Sequence, residues 1–352
     1  MRILHVITSL RTGGAEKLMV DMLPRMKAMG HQVDLCVFDG VRTPFYEELE
    51  SKGVRVIPLG HSVYSIINLF KLVPFMRGYD IVHTHNTACQ YYVAIANLFV
   101  HRRIYTTEHN TTNRRRNWVW KLLDKWMYGQ YHKIVCISEL TQHNLIQHIG
   151  KAFLKKPTII YNGIDLAHFG VKKEKMRDDE THKVIVMVSA FREQKDQKTL
   201  IRAMQCLPDN YVLRLVGGGE ERLISECKDF AEKLKIQNRI EFMGVRTDVS
   251  ELLQQADVVV LSSHYEGLSL SSLEGMASGR PFIASDVEGL RDIVGGYGVL
   301  FPHENAIVLA KEIQRLCEDE TYAAEIVEKC LDRVKMFDVD MMAQNYLQVY
   351  KS

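Results

Sequence analysis

No run in this 352-residue chain approaches the roughly 20 apolar residues a helix needs to cross a bilayer, which excludes a helical membrane span. The seven cysteines are scattered and odd in number, and none forms a Cys-x-x-Cys pair. That argues against a disulfide framework and against zinc, and favours reduced thiols in the cytosol. No secretory signal is expected. MRILHVITSL is short, runs straight into TGGAE, and reads as a first strand. Low-complexity tracts and internal repeats are missing. So is a large net charge, at +2, but that balance is uneven along the chain. Residues 1–170 hold 21 Lys+Arg and 12 Asp+Glu, leaving 24 and 31 for the remainder. A basic first half suits an anionic partner such as lipid head groups, a phosphorylated acceptor or nucleic acid.

What is present is alternation. RILHVIT, QVDLCVF, VRVIPL, YDIVHTH, RIYTTEH, KIVCIS and PTIIYN are short apolar, β-branched runs separated by segments of helical periodicity. One such segment, GAEKLMVDMLPRMKAMG, stops at Gly30, a C-cap residue. The charged stretch 170–183 reads as a linker. The pattern restarts with KVIVMVS, YVLRLVGGG, RIEFMG, DVVVLSS, PFIASD and GVLFP. Strands alternating with helices imply parallel sheets covered on both faces. The expected class is α/β, with two Rossmann-like domains facing a central cleft. The expected boundaries are 1–170, 171–337 and a C-terminal helix, 338–352, packing back toward the first domain.

The densest chemistry lies in HYEGLSLSSLEGMASG, from His264 to Gly279. Glu266 falls in a strand-to-helix loop and Glu274 two helical turns on, about 8 to 12 Å away at 1.5 Å per residue. Free amides at the helix start favour an anion, and small residues let it approach. Two carboxylates flanking such a site fit one elongated ligand with a diphosphate in the middle. An ordinary loop glutamate plus a helix-surface glutamate fits the spacing equally well.

The stretch resembles the E-x7-E motif of retaining glycosyltransferases of GT-B architecture, family 4 or group 1. The resemblance extends through TGGAE, IVHTHN, TTEHN, IYNGID, QKD after VSAF, VGGGE, FMGVRTDV, GRPFIASDVEGL and GYGVLF. It implies that Glu266 holds hydroxyls of the transferred sugar and Glu274 those of the ribose. Gly267, Leu268 and Ser269 would offer amides to the diphosphate, and Lys195 would neutralise it as it leaves. The TGGAE loop would meet both substrates, with Gly14 toward the donor and Gly13 and Glu16 toward the acceptor. His109 of TTEHN would lie beside the reacting sugar. His85 and Asn86 would sit near the acceptor, with His83 structural. Gly217 would line the donor site, and backbone groups of Val245 or Arg246 would read the base.

The chain departs from the family pattern at one point. Aligned on QKD, the arginine expected five residues before Lys195 is replaced by Ala190. Arg192 is the expected substitute, with Lys198 as the alternative. Asp338-Val339-Asp340 has the spacing of a metal-binding pair but precedes a helix, so it reads as a helix start. His83-x-His85 lacks a third ligand at recognisable spacing. No catalytic metal or cofactor is expected. Residues 113–133 hold all three tryptophans among basic residues, with Leu122, Leu123 and Met127 expected on one apolar face. That suits either contact with an anionic membrane or an ordinary core-facing helix.

The expectation is a hexosyltransferase using a nucleotide-diphosphate sugar, UDP favoured, and acting with retention. The acceptor would be a hydroxyl of a glycan or polyprenyl-diphosphate-linked glycan in surface polysaccharide synthesis. The expected location is the cytoplasm, at the inner face of the membrane if 113–133 touches it. The alternatives are a sugar-nucleotide 2-epimerase and a non-catalytic nucleotide-sugar-binding protein. A glycosidase fits less well, because its two carboxylates must flank a single bond. No nucleic-acid motif appears.

Overall fold

The computed structural model describes residues 1–352 except 12, 61, 110–117 and 170–180. The linker segment and the basic start of 113–133 fall largely outside the described residues. The chain divides into two compact units, Met1–Gly163 with Val339–Ser352, and Ile164–Asp338. The first division falls earlier than the expected 170. The Ile164 amide donates to the Phe337 carbonyl at 2.9 Å, which ties Ile164 to the second unit.

The first unit runs β1 (Arg2–Ile7), α1 (Gly14–Ala28), β2 (Gln32–Val37), α2 (Pro44–Ser51), β3 (Arg55–Pro58), α3 (Ile67–Arg77), β4 (Ile81–Thr84), α4 (Thr87–Val100), β5 (Arg103–Glu108), α5 (Trp118–Gln130), β6 (Lys133–Cys136), α6 (Glu139–Ile149) and β7 (Pro157–Ile159). Its seven strands are parallel in the order β3-β2-β1-β4-β5-β6-β7. Helices cover both faces, so β1 and β4 are almost wholly buried. Leu4, Val6, Val82 and Ile104 form the core with Cys89, Val93 and Met127 from the helices.

The second unit runs β8 (Lys183–Val188), α7 (Gln197–Met204), β9 (Tyr211–Val216), α8 (Glu221–Lys233), β10 (Ile240–Gly244), α9 (Val249–Gln254), β11 (Val258–Leu261), α10 (Leu270–Ala277), β12 (Phe282–Ser285), α11 (Leu290–Val294), β13 (Val299–Phe301), α12 (Ala306–Glu318) and α13 (Glu320–Val334). Its six parallel strands are ordered β10-β9-β8-β11-β12-β13. Each strand run read from the sequence is a strand here. Side-chain caps start two of the helices: Asp196 accepts the Thr199 amide on α7, and Asn305 accepts the Val308 amide on α12. Each cap contributes about 1 kcal/mol.

The chain then returns to the first unit as α14 (Val339–Lys351), which packs on α1. Asp340 pairs with Arg25 on α1 at 3.0 Å, which gives the Asp-x-Asp stretch a structural role at the helix start. Tyr346 and Tyr350 point into the first unit's core.

Both sheets share one consequence of strand order. The order reverses between β1 and β4, and again between β8 and β11. Ligands of such sheets bind at the carboxyl ends of the strands beside that reversal. Each unit therefore has one favoured crevice. The second unit's crevice is flanked by the loops after β8 and β11, and the first unit's by the loops after β1 and β4.

Candidate functional site

In the second unit, the loop after β8 carries Arg192, Gln194 and Lys195, and the loop after β11 carries Glu266. Glu266 is only 5% exposed and is held by three neighbours. The Lys195 ammonium donates to Oε1 in a short contact. Ser263 Oγ donates to the same oxygen at 2.6 Å, and Gln194 Nε2 donates to Oε2 at 3.3 Å. The two loops are also stitched by the His264 amide on the Gln194 carbonyl at 2.8 Å. A carboxylate this buried is stable only when paired and hydrogen-bonded, as it is here. Gln194 and Ser263 were not singled out from the sequence. Their signal was position, since each is close in sequence to Lys195 or Glu266 on the same loops.

Next to this pair lies an open pocket of about 460 Å³, lined by Arg192, Gln194, Gln197, Lys198, His264 and Tyr265 among others. Lys198 is engaged with Glu226 at 2.7 Å. Among the described residues the Arg192 guanidinium has no ion-pair partner, although it is exposed at the pocket wall. Of the two candidates for the missing arginine, Arg192 is the cation not already neutralised.

Beyond Glu266 the chain passes Gly267, Leu268 and Ser269 into α10, which carries Glu274. Leu268 and Ser269 are buried. Among the described residues the Gly267 and Ser269 amides donate to no protein group. Gly289 has φ +87, and a Cβ there would lie 2.3 Å from the Glu266 carbonyl, so the DVEGL turn packs backbone to backbone on this loop. VGGGE does the same for the Lys195 loop. A Cβ on Gly217 would lie 2.1 Å from the Ser189 carbonyl, and one on Gly219 2.3 Å from the Phe191 carbonyl. The glycine cluster sets the position of the VSAF segment. Val245 packs against Gly218, where a Cβ would lie 2.7 Å from its Cγ2, and Arg246 is tied to Asp248 at 2.6 and 2.8 Å. The Arg246 guanidinium is thus engaged within its own loop.

In the first unit, β1 and β4 bring His5 and His83 into register. Alternation puts His83 and His85 on one face and Thr84 on the other, where its Oγ lies 3.3 Å from the Tyr131 hydroxyl. The rings of His5, His83 and His85 stack with centroids 4.7 to 5.4 Å apart. Hydrogen bonds link them outward: His5 Nδ1 to His85 Nε2 at 2.8 Å, and His85 Nδ1 to His109 Nε2 at 3.1 Å. His83 bonds the Thr107 and Tyr350 hydroxyls, both at 2.7 Å. Burial holds all four imidazoles neutral. It lowers His5 to about 3 and His109 to about 4, and lowers His83 and His85 well below the ordinary range.

Both ring nitrogens of His85 are taken and it is 1% exposed, so its imidazole orients His109. The His5 Nε2 atom is buried with no partner. A bare ring nitrogen costs less as a lone pair than as an N–H. The chain of bonds therefore runs from His5 Nδ1–H through His85 Nδ1–H, and leaves His109 with its proton on Nδ1. His5 was missed in the sequence, although a histidine inside the apolar strand RILHVI was its signal.

Asn86 donates to Thr8 Oγ at 2.8 Å, joining the loops after β4 and β1. Gly13 precedes Gly14 at the start of α1, and the Glu16 carboxylate lies over Gly13 where a Cβ would be 2.2 Å from Oε2.

The apolar face of 113–133 is also corrected. Asp124, Met127 and Tyr128 face inward on α5, with Asp124 bonded to His148 at 2.7 Å. Trp118, Trp120, Leu122, Leu123 and Trp126 face outward, Trp118 being 74% exposed. The core-facing surface is thus short and partly polar, and the larger apolar surface lies outside. No helix of the described residues is long and apolar enough to cross a membrane.

Residues 12–168 match the Glycosyltransferase Family 4 domain, and residues 170–331 match the Glycosyl transferases group 1 domain. The putative glycosyltransferase EpsD of Bacillus subtilis is 28% identical over 311 residues, covering 82% of this chain and 81% of that protein. The UDP-Gal:alpha-D-GlcNAc-diphosphoundecaprenol alpha-1,3-galactosyltransferase of Escherichia coli is 27% identical over 270 residues, covering 71% and 68%. The crystal structure of Anabaena Alr3699/HepE in complex with UDP-glucose superposes with a TM-score of 0.90 at 22% identity, covering 100% and 99%. The chain belongs to the family 4, group 1 glycosyltransferases and folds as the two Rossmann-like units of the GT-B architecture.

Proposed function

We propose that this enzyme transfers a sugar, with retention, from a UDP-sugar to a hydroxyl of a lipid-linked glycan during surface polysaccharide synthesis. The observation that carries the reading is the buried Glu266–Lys195 pair at the strand-order reversal of the second unit. Resting, the two charges neutralise each other. A donor diphosphate competes for the Lys195 ammonium, with Arg192 as the second cation. Glu266 is then left to accept hydrogen bonds from sugar hydroxyls. The Gly267, Leu268 and Ser269 amides, at the start of α10, take the diphosphate. Glu274 takes the ribose hydroxyls, with Gly217 and the backbone of Val245 and Arg246 toward the base.

On the first unit, Gly13, Gly14, Glu16 and Asn86 line the loops that meet the substrates. His109, with its proton fixed on Nδ1, donates a hydrogen bond to the reacting sugar. The bond from the anomeric carbon to the diphosphate breaks as the bond to the acceptor oxygen forms on the same face. The departing diphosphate oxygen takes the acceptor proton. Positioning and charge stabilisation do the work, and no metal is required.

The choice of UDP and of a lipid-linked acceptor is supported by what the Escherichia coli relative and the Anabaena structure are named for. The outward face of α5 supports contact with an anionic membrane on the cytoplasmic side. Interfacial tryptophans beside Lys121 and Lys125 suit head-group depth, and residues 1–170 carry the basic excess.

The test measures nucleotide release and sugar transfer by wild type, Glu266→Gln and Lys195→Ala. Each substitution should lower turnover by about 10²-fold or more while the fold is kept. Full activity in either would remove the pair from the mechanism.

A further inference from the structure

A second cluster in the same unit gathers metal-ligand-type side chains around one unpartnered carboxylate oxygen. Asp196 follows Lys195 and caps α7, its Oδ1 accepting the Thr199 amide at 3.2 Å. Its side chain is 8% exposed, and its Oδ2 has no hydrogen-bond partner. A buried carboxylate oxygen left bare is costly and calls for a cation.

Two imidazoles face it. His264 Nδ1 lies 3.9 Å from Oδ2 and 2.7 Å from His303 Nε2. Glu304 Oε1 lies 3.4 Å from His264 Nδ1. One ligand atom from each of Asp196, His264 and His303 falls within 4.8 Å of the others. The three residues come from the loops after β8, β11 and β13, so the fold assembles them from three separate places in the sequence.

We propose that Asp196, His264 and His303 bind a transition-metal ion of the Zn²⁺ class, with Glu304 as the fourth ligand. Bonds of about 2.0–2.2 Å in a tetrahedron place ligand atoms roughly 3.3 Å apart. The separations from His264 Nδ1, 2.7 Å to His303, 3.4 Å to Glu304 and 3.9 Å to Asp196, bracket that value. Two imidazoles and carboxylates select Zn²⁺, Ni²⁺ or Co²⁺ over the oxygen-seeking Mg²⁺. The scattered cysteines argued against zinc, but this site uses none of them.

None of the four ligands is a group assigned to donor or acceptor, so the proposal stands apart from the transfer reading. Its consequence is mechanical. The ion pins the Lys195 loop to the Glu266 loop, since His264 lies two residues before Glu266, and it stabilises the second unit by mass action.

The test titrates Zn²⁺ and Co²⁺ into chelator-treated full-length protein, wild type and His303→Gln, by calorimetry, with Co²⁺ visible absorption and thermal melting in parallel. His303 is exposed, so the variant keeps the fold. Wild type should bind one ion, show a tetrahedral Co²⁺ spectrum and melt at higher temperature with Zn²⁺. His303→Gln should bind about tenfold more weakly or worse and lose the spectrum. Equal binding by the variant, an octahedral spectrum, or no binding by wild type at hundreds of micromolar ion would overturn the site.

Discussion

Acid should unfold the first unit well before it reaches ordinary carboxylates. His5, His83 and His85 are buried and His109 is half-buried; all four are neutral, with desolvation the leading cause in each case. In the unfolded chain they titrate near 6.5, so below that pH the unfolded chain binds more protons. The stability they give is complete above about 6.5 and falls as pH drops toward the folded values of about 3 and 4. At pH 5 the gap of about 1.5 units costs about 2 kcal/mol for each ring. His5 and His109 alone give about 4 kcal/mol, and His83 and His85 add in the same direction. That is a large part of the 5–15 kcal/mol typical of a folded domain. Tyr105, Tyr346 and Tyr350 pack on the cluster, have raised pKa values, and stay neutral throughout. Chemical denaturation at pH 7, 6 and 5 measures the effect. All three tryptophans lie on α5, so their fluorescence reports the first unit. His5→Phe keeps a ring in the stack and removes one titrating group. It should shrink the loss between pH 7 and 5 by about 2 kcal/mol. A stability that is flat across that range, or the same slope in His5→Phe, would refute the account of the cluster.

Three further outcomes follow from the geometry. Gly217→Ala meets both a φ of +142 and the Ser189 carbonyl at 2.1 Å, so melting should show a loss of about 2–3 kcal/mol; a loss under about 0.5 would mean the loops do not pack as described. Arg192→Ala should lower transfer by about 10²-fold, and Lys198→Ala far less because Glu226 already holds it; the reverse order in steady-state kinetics would exchange their roles. Replacing Trp118, Trp120 and Leu122 by serine should weaken sedimentation with anionic vesicles at least about tenfold while UDP binding is kept; unchanged sedimentation would remove α5 from the membrane reading.

The strands were legible because most are short β-branched runs with buried centres, as in KVIVMV of β8 and VVVL of β11. Motif order singled out Glu266, Lys195 and His109, and the structure brings the first two together. What could not be read were relations set by tertiary register. His5 reaches His109 only through His85, which required β1 to pair with β4. The inward face of α5 uses Asp124, a choice fixed by His148 on α6. The periodicity of the helix alone could not show that its tryptophans point outward. His303 meets Asp196 only because β13 and β8 end on the same side of one sheet.

The most direct test of the central claim is the anomeric configuration of the product. The enzyme is incubated with UDP-sugars and a polyprenyl-diphosphate-linked glycan in anionic vesicles, and the new linkage is read by NMR. The account predicts transfer with the donor's anomeric configuration kept, and its loss in Glu266→Gln. An inverted linkage, or no transfer from any nucleotide sugar, would contradict it.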